Sequence, residues 1–271
     1  MWEFAIYMNI DEREIAKQLY QKMQSFSNTY DNIVSFYEKE CIVGVITSCS
    51  DIERFRYINF VEELIIETIC NSYKKQYLLS NLGFNGFDEI TNEAFIQALI
   101  FFDRETDRYI VSKYLQLEKQ INLDGFFNFK LKTLKDKWSE LVGIANENQV
   151  YLYSNDTFVE LIKFLIDNIE VKSDVINIIK QNEEYKILDA QFEEISFEDK
   201  FLKNDKSLIS SIISLCPKNI NIYCSDILPN NVTKLICTLF EKRVKFLTKV
   251  NWFFQYFYIF AYWQLMKFVV S

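Results

Sequence analysis

The chain has 271 residues, enough for one large domain or two small ones, and 49% of them are apolar, which indicates a globular protein. It contains no histidine, and this excludes a Ser-His-Asp or Cys-His couple within the chain and removes the commonest ligand of zinc. The formal net charge of −8 argues against nucleic acid as a partner, because non-specific binding depends on neutralising phosphates with basic groups.

The N-terminal residues have the pattern of a small α/β unit. Apolar side chains alternate from Trp2 to Met8, which is the period of a half-buried strand. Asp11 follows as a helix start, with Glu14 in capping-box spacing. Two further strands are predicted at residues 33–37 and 41–47, separated by a charged turn at residues 38–40, and another long helix follows. This order is β-α-β-β-α.

The middle of the chain has the pattern of helices. Asp51 is placed to cap the long helix after the strands, and residues 82–86 contain two glycines that break the pattern. Two helical runs are predicted at residues 89–102 and 104–120, and residues 122–125 end the second.

Residues 125–170 are the most informative stretch of the chain. Gly125-Phe126-Phe127-Asn128-Phe129-Lys130-Leu131-Lys132 leads into a helix through Trp138. A second apolar-striped helix covers residues 158–165, and Thr157 and Glu160 have capping-box spacing at its start.

After Ser173 the period changes to that of strands. Residues 175–179 and 185–188 predict a hairpin, and residues 208–215 predict a buried helix that Pro217 stops. Residues 220–224 alternate as a strand. Pro229 then suits the first turn of a helix, and a short strand follows at residues 244–246. A strand, a helix and a strand of these lengths imply a parallel crossover.

These patterns predict an α+β protein with an N-terminal β-α-β-β-α unit, a helical middle and a C-terminal mixed sheet with helices. The corresponding regions are an α/β unit at residues 1–82, a helical region at 83–172, a second α/β unit at 173–250 and an aromatic, apolar tail at 251–271.

The tail has three open interpretations. It contains ten aromatic residues and one charge, Lys267, and it is long enough to cross a bilayer. Lysine and arginine precede it, as they would on a cytoplasmic flank. Yet Gln255 and Gln264 lie inside it, and tyrosine prefers the membrane interface to the bilayer centre. The tail is therefore a membrane anchor, a hydrophobic helix packed on this protein or a partner, or an atypical terminus without a selected role.

The cysteine pattern indicates an intracellular protein. No two cysteines form a C-x-x-C pair, and the N-terminus has no basic region followed by an apolar run. We therefore expect a cytoplasmic location and reduced, mostly buried thiols. The cysteines are Cys41, Cys49, Cys70, Cys216, Cys224 and Cys237.

Two segments are candidates for a functional surface. The first is aromatic and basic, and it is either a docking surface for an anionic partner or a core face with solvated lysines; its residues are Phe126, Phe127, Phe129, Lys130, Lys132, Lys135 and Lys137, interleaved with Asp136 and Glu140. The second is acidic, and a solvated surface is favoured over a calcium or magnesium site because EF-hand spacing is absent; its residues are Glu183, Glu184, Asp189, Glu193, Glu194, Glu198 and Asp199.

The sequence nominates no catalytic, cofactor-binding or metal-binding residue. The five glycines never approach the spacing of a phosphate-binding loop, so a nucleotide-driven enzyme is not expected, and we predict no cofactor.

Residues 125–246 resemble the YtxC-like family of sporulation proteins from spore-forming Firmicutes. The similar segments are residues 125–132, the helix through Trp138, residues 158–165, the hairpin end at 185–189 and the turn at 215–220. The resemblance implies a role in sporulation of a Gram-positive bacterium, and it implies no reaction.

The leading hypothesis is thus a non-enzymatic sporulation protein that binds a protein partner whose identity the sequence leaves unknown. Two alternatives remain: an enzyme that uses thiol or carboxylate chemistry, such as a hydrolase, and a membrane-associated protein held by residues 251–271.

Overall fold

The computed structural model describes residues 1–26, 32–83, 88–149, 155–181, 184–195, 204–223 and 227–247. In these residues the fold is α+β with two mixed four-stranded sheets, and the predicted fold class is confirmed. The chain divides into two compact units, one of Met1–Gly83 with Asp103–Gln149 and the other of Phe84–Phe102 with Val150–Ser271. Each unit has its own sheet.

The first half of the chain contains the following elements in order: β1 (Trp2–Asn9), a 3-10 turn (Ile10–Glu12), α1 (Arg13–Ser25), β2 (Asn32–Lys39), β3 (Ile42–Cys49), α2 (Arg54–Thr68), a π turn (Ile69–Tyr73), α3 (Lys74–Asn81), α4 (Glu89–Phe101), α5 (Arg104–Tyr114), β4 (Gln120–Asn122), the single turn α6 (Leu123–Gly125), a second π turn (Phe126–Lys130) and α7 (Lys132–Gln149).

The second half continues with α8 (Asn155–Asp167), β5 (Val175–Gln181), β6 (Glu184–Leu188), α9 (Asp205–Leu215), β7 (Asn219–Tyr223), α10 (Asn230–Phe240), a 3-10 turn (Glu241–Arg243) and β8 (Val244–Leu247).

The sheet of the first unit has the strand order β2-β3-β1-β4. β3 runs antiparallel to both β1 and β2, while β4 is parallel to β1. The predicted alternation in β1 is confirmed, since Phe4, Ile6 and Met8 are buried, and they share a core with Leu19 and Met23 of α1. The order β-α-β-β-α is confirmed, and β3 lies between the two strands that α1 connects.

Three predicted helix caps are wrong. Asp11 lies in the 3-10 turn before α1, and Glu14 forms an ion pair with Lys17 at 2.6 Å. Asp51 accepts a hydrogen bond from the N-terminal ammonium at 2.8 Å, and α2 begins at Arg54. α8 begins at Asn155, which places Thr157 inside the helix. For Glu14 and Asp51, a nearby ammonium group offers a stronger, charge-assisted partner than a backbone N–H group.

Two predicted boundaries differ from the structure. The second helical run ends at Tyr114, and residues 120–122 form β4 beside β1. A strand of three residues is too short to show a period, so the sequence pattern did not reveal it. The turn between β2 and β3 lies at residues 40–41 instead of 38–40, because β2 continues through Lys39 and Glu40 has a φ of 51°.

The sheet of the second unit has the order β6-β5-β7-β8. β5 and β6 form the predicted antiparallel hairpin, and β7 runs parallel to both β5 and β8, which confirms the parallel pairing expected of the crossover. α9 ends at Leu215, two residues before Pro217 as predicted, and Pro229 occupies the N-cap of α10. Phe95 of α4 packs on Phe158 of α8, with ring centroids 4.9 Å apart.

The aromatic tail lies outside the described residues, so its three interpretations stay predictions. Within the described ranges, no helix combines the length and apolar character needed to cross a membrane.

Candidate interaction surface

One face of the first unit's sheet lacks a covering layer in the described residues, and we call it the open face. It is the face opposite α1, and the strand registers arrange its side chains in three rows across the sheet. The rows are Ile33–Ser48–Glu3, Ser35–Ile46–Ala5 and Tyr37–Gly44–Tyr7, in the order β2, β3, β1.

The open face carries exposed apolar side chains. Ile33 is 70% exposed and Ile46 is 47% exposed, so the described elements leave both side chains open to solvent. Charged residues lie at the margins of the face, where Glu3 and Lys39 are exposed near opposite strand ends. A contiguous apolar surface with a polar rim is typical of a protein-binding site.

Gly44 lets an aromatic ring lie flat on this face. A Cβ atom at position 44 would lie 2.8 Å from Cε1 of Tyr37 and would also collide with the carbonyl oxygen of Ile6. Burial raises the pKa of the Tyr37 hydroxyl, and Tyr7 adds to the effect, so Tyr37 is neutral at physiological pH. Neutral phenols offer a partner apolar rings and a hydrogen-bonding hydroxyl.

The sequence patterns did not single out the open face. β3 is apolar on both of its faces, with Ile42, Val43, Val45 and Ile46 in succession, so alternation does not separate the core side from the exposed side. The available signal was the isolated glycine in that strand, because a glycine inside a strand marks a close approach of other atoms.

The same unit contains a buried charged centre. The Lys74 ammonium donates to an Asp107 carboxylate oxygen at 2.7 Å, and the two side chains are 1% and 0% exposed. Asp107 also accepts from the indole N–H of Trp138 at 3.1 Å and from Lys137 at 2.7 Å. Lys137 reaches Asp103 as well, at 2.6 Å.

This centre is positioned by an irregular helix. The π turn at Ile69–Tyr73 lies directly before Lys74, whereas Asp107 lies on α5 and Trp138 on α7. Burial lowers the pKa of Lys74, and Asp107 opposes the shift. This ammonium group is enclosed by protein, and the cluster joins residues of three helices.

Several described thiols have pKa values that are shifted away from the thiolate form. Burial raises the pKa of Cys49 and of Cys216, and it raises the pKa of Cys70 to about 12. A catalytic thiolate requires the opposite shift. Cys41 is exposed, Cys237 is half-buried and its pKa is raised by burial, and Cys224 lies outside the described residues.

The structure separates the residues of the predicted aromatic and basic surface. Phe126 and Phe127 are buried in the core, whereas Phe129 is 84% exposed. Lys137 belongs to the buried charged centre, and Lys135 lies over the Phe127 ring at 5.5 Å. The remaining lysines, Lys130 and Lys132, are exposed, as are Asp136 and Glu140. A docking role for this segment stays a prediction.

The structure describes part of the acidic segment, and local hydrogen bonds and an ion pair stabilise that part. Asp189 accepts from the backbone N–H groups of Gln191 and Glu193 at 2.8 and 2.9 Å, and Glu194 pairs with Lys186 at 2.8 Å. The described residues contain no group of three or more side chains arranged to hold a metal ion. Glu183, Glu198 and Asp199 lie outside the described ranges.

Comparison with models of protein families identifies the family of the chain. The family model described as "YtxC-like family" matches residues 28–245, which is most of the chain. The chain belongs to the YtxC-like family. No curated protein and no solved structure is significantly similar to it. YtxC-like membership is consistent with a sporulation-associated protein, and the match extends beyond the segments that carried the resemblance to include β2, β3 and the buried charged centre.

Proposed function

We propose that this YtxC-like protein acts in sporulation by binding another protein and has no catalytic activity of its own. The observation that supports it best is the open face, where Ile33 and Ile46 are exposed beside Tyr7 and Tyr37 without a charge among them. The partner that fits is a protein with an apolar, weakly charged face, because a charged surface would lose its hydration without gaining a counter-charge.

The described titratable groups support a binding role over a chemical one. The most deeply buried charges, Lys74 and Asp107, are paired with each other. The described thiols with shifted pKa values are all shifted away from the thiolate. Neither feature favours the thiol- or carboxylate-dependent enzyme that the sequence left as an alternative.

A pull-down from sporulating cells tests the proposal. The full chain and its Ile46→Lys variant serve as baits, and Ile144→Lys is the matched control, because Ile144 is 54% exposed and lies on the helix α7 instead of a strand of the sheet. We expect a specific protein to be recovered by the unsubstituted chain and by Ile144→Lys, and to be lost with Ile46→Lys. Equal recovery by all three baits would argue against the open face.

We further propose a cytoplasmic location, with the tail as the segment that decides any membrane association. The support is the cysteine usage and the aromatic composition of residues 251–271. Cell fractionation of the full chain and of a chain that ends at Val250 provides the test. Sedimentation of the full chain with membranes, lost on truncation, would assign the tail as an anchor, whereas soluble full chain would exclude that interpretation.

A further inference from the structure

β2 is the outer strand of the first unit's sheet. In the part of the chain that the structure describes, it pairs on one side with β3 and has no strand on the other. A strand of eight residues in this position presents a row of backbone donors and acceptors to any chain that can pair with it.

A side-chain bond shows which backbone groups point outward. The Thr47 hydroxyl donates to the carbonyl oxygen of Ile33 at 3.2 Å, so that carbonyl faces β3. Backbone groups alternate in direction along a strand, and those of Val34 and Phe36 therefore point away from the sheet. Their side chains are half-buried against the core and would be covered further by an added strand.

The residues of β2 are complementary to a second copy of themselves. If two antiparallel β2 strands are related by a two-fold axis through Ser35, Ile33 faces Tyr37 of the second copy on the open face. On the core side, Val34 faces Phe36 of the second copy. Both contacts join an aromatic ring to a β-branched side chain, a favourable cross-strand pair.

The other symmetric registers fit worse. An axis through Phe36 places Val34 opposite Glu38 and Ile33 opposite Lys39 of the second copy. An axis through Val34 places Phe36 opposite Asn32, and an axis through Tyr37 places Phe36 opposite Glu38. Each of these sets a polar or charged group against an apolar one, which costs desolvation. The register centred on Ser35 avoids this.

We propose that the protein forms a two-fold symmetric dimer in which the two β2 strands pair antiparallel, centred on Ser35, to give one continuous eight-stranded sheet. The edge of the sheet is then covered, and the open faces of the two copies join into one surface. This inference goes beyond the proposed function and does not depend on it.

Disulfide trapping in the full chain tests the register. In the proposed dimer the two Ser35 Cα atoms form a non-hydrogen-bonded pair at about 4.5 Å, a separation that a disulfide can bridge. The Ile33 Cα atoms are offset by four residues, roughly 14 Å, which no disulfide can span. Ser35→Cys and Ile33→Cys are therefore matched variants at exposed positions, each in a Cys41→Ser background that removes the exposed native thiol.

We expect mild oxidation to convert Ser35→Cys into a covalent dimer and to leave Ile33→Cys at the background level. Sedimentation equilibrium of the unsubstituted chain is expected to show a dimer. A chain that stays monomeric, a dimer in which Ser35→Cys does not cross-link, or equal cross-linking of the two variants would overturn the proposal. These measurements use the purified chain, so their failure is distinct from the failure of the pull-down to find a partner.

Discussion

Gly44 and Gly143 are two glycines whose surroundings differ, and they give opposite expectations for the same substitution. Gly44→Ala places a methyl group against Tyr37 and the β1 backbone, and we expect it to lower the free energy of unfolding by about 2 kcal/mol. Gly143 lies in α7 with nothing within 4 Å of an added Cβ, so Gly143→Ala is expected to raise stability by about 1 kcal/mol. Urea titration of both variants measures the difference, and a stable Gly44→Ala would contradict the packing of Tyr37 on the glycine.

The Lys74–Asp107 pair gives a second prediction for single residues. Asp107→Asn removes the carboxylate that lies 2.7 Å from the buried ammonium, and we expect a loss of about 3–5 kcal/mol in unfolding free energy. The double variant Lys74→Met/Asp107→Asn removes both charges and keeps an oxygen for the Trp138 N–H, so most of the loss is expected to be recovered.

Glu14→Gln is the control for this experiment. Its ion pair with Lys17 is exposed and screened by solvent, and its removal is expected to leave the unfolding free energy nearly unchanged. A double variant less stable than Asp107→Asn alone would contradict the expectation that the uncompensated charge causes the loss.

Among the helices and strands, α4 begins at a side-chain cap, Asp88, which directly precedes the helix in sequence. Asp88 accepts hydrogen bonds from the backbone N–H groups of Ile90 and Thr91, both at 3.1 Å, and from the Thr91 hydroxyl at 2.6 Å. Burial works against the charged form, but these bonds hold the pKa of Asp88 below its usual value.

This cap predicts a pH dependence. A carboxyl group whose folded-state pKa is lowered contributes stability above its unfolded pKa of about 4, and the contribution is lost as the pH falls through the folded value. Asp88→Ala is therefore expected to cost about 1 kcal/mol at pH 7 and progressively less below pH ~4. Asp88→Asn keeps an acceptor without the charge and serves as the control. Urea titrations at a series of pH values check this, and a constant loss across that range would contradict the role of the charge.

Sequence patterns located most elements but not the partners of their terminal residues. The alternation in β1, the hairpin of β5 and β6 and the end of α9 before Pro217 follow from local residue types, and all three are present. The capping roles predicted for Glu14 and Asp51 failed because charged groups nearby in the fold decide which partner a carboxylate binds. β4 was missed because its pairing with β1 depends on residues far apart in the chain.

At the scale of the whole molecule, the predicted division at residues 82, 172 and 250 stays a prediction, and the structure adds one feature to it. α4 shares contacts with α8 and α9, although it lies in sequence between elements of the first unit. Contacts such as Phe95–Phe158 and Glu93–Ser210 connect α4 to residues far along the chain. Local periodicity cannot show which sheet a helix packs against, so sequence patterns could not assign α4 to the second unit.

The candidate surface likewise depends on the assembled fold and could not be found from local sequence patterns. Exposure of Ile33 and Ile46 depends on which face of the sheet α1 covers, and this is a property of the assembled unit. The segment that the sequence nominated contains two core phenylalanines and a half-buried lysine, because its pattern is also that of an amphipathic helix.

The most direct test of the central claim, that the YtxC-like protein works through the open face and not through a reaction, is complementation of a deletion strain. Ile46→Lys is expected to fold normally, because the position is exposed, and to fail to restore spore formation, whereas Ile144→Lys restores it. Spore counts for the two variants, with unfolding curves of the purified proteins, give the answer. Full complementation by a folded Ile46→Lys protein would contradict the account.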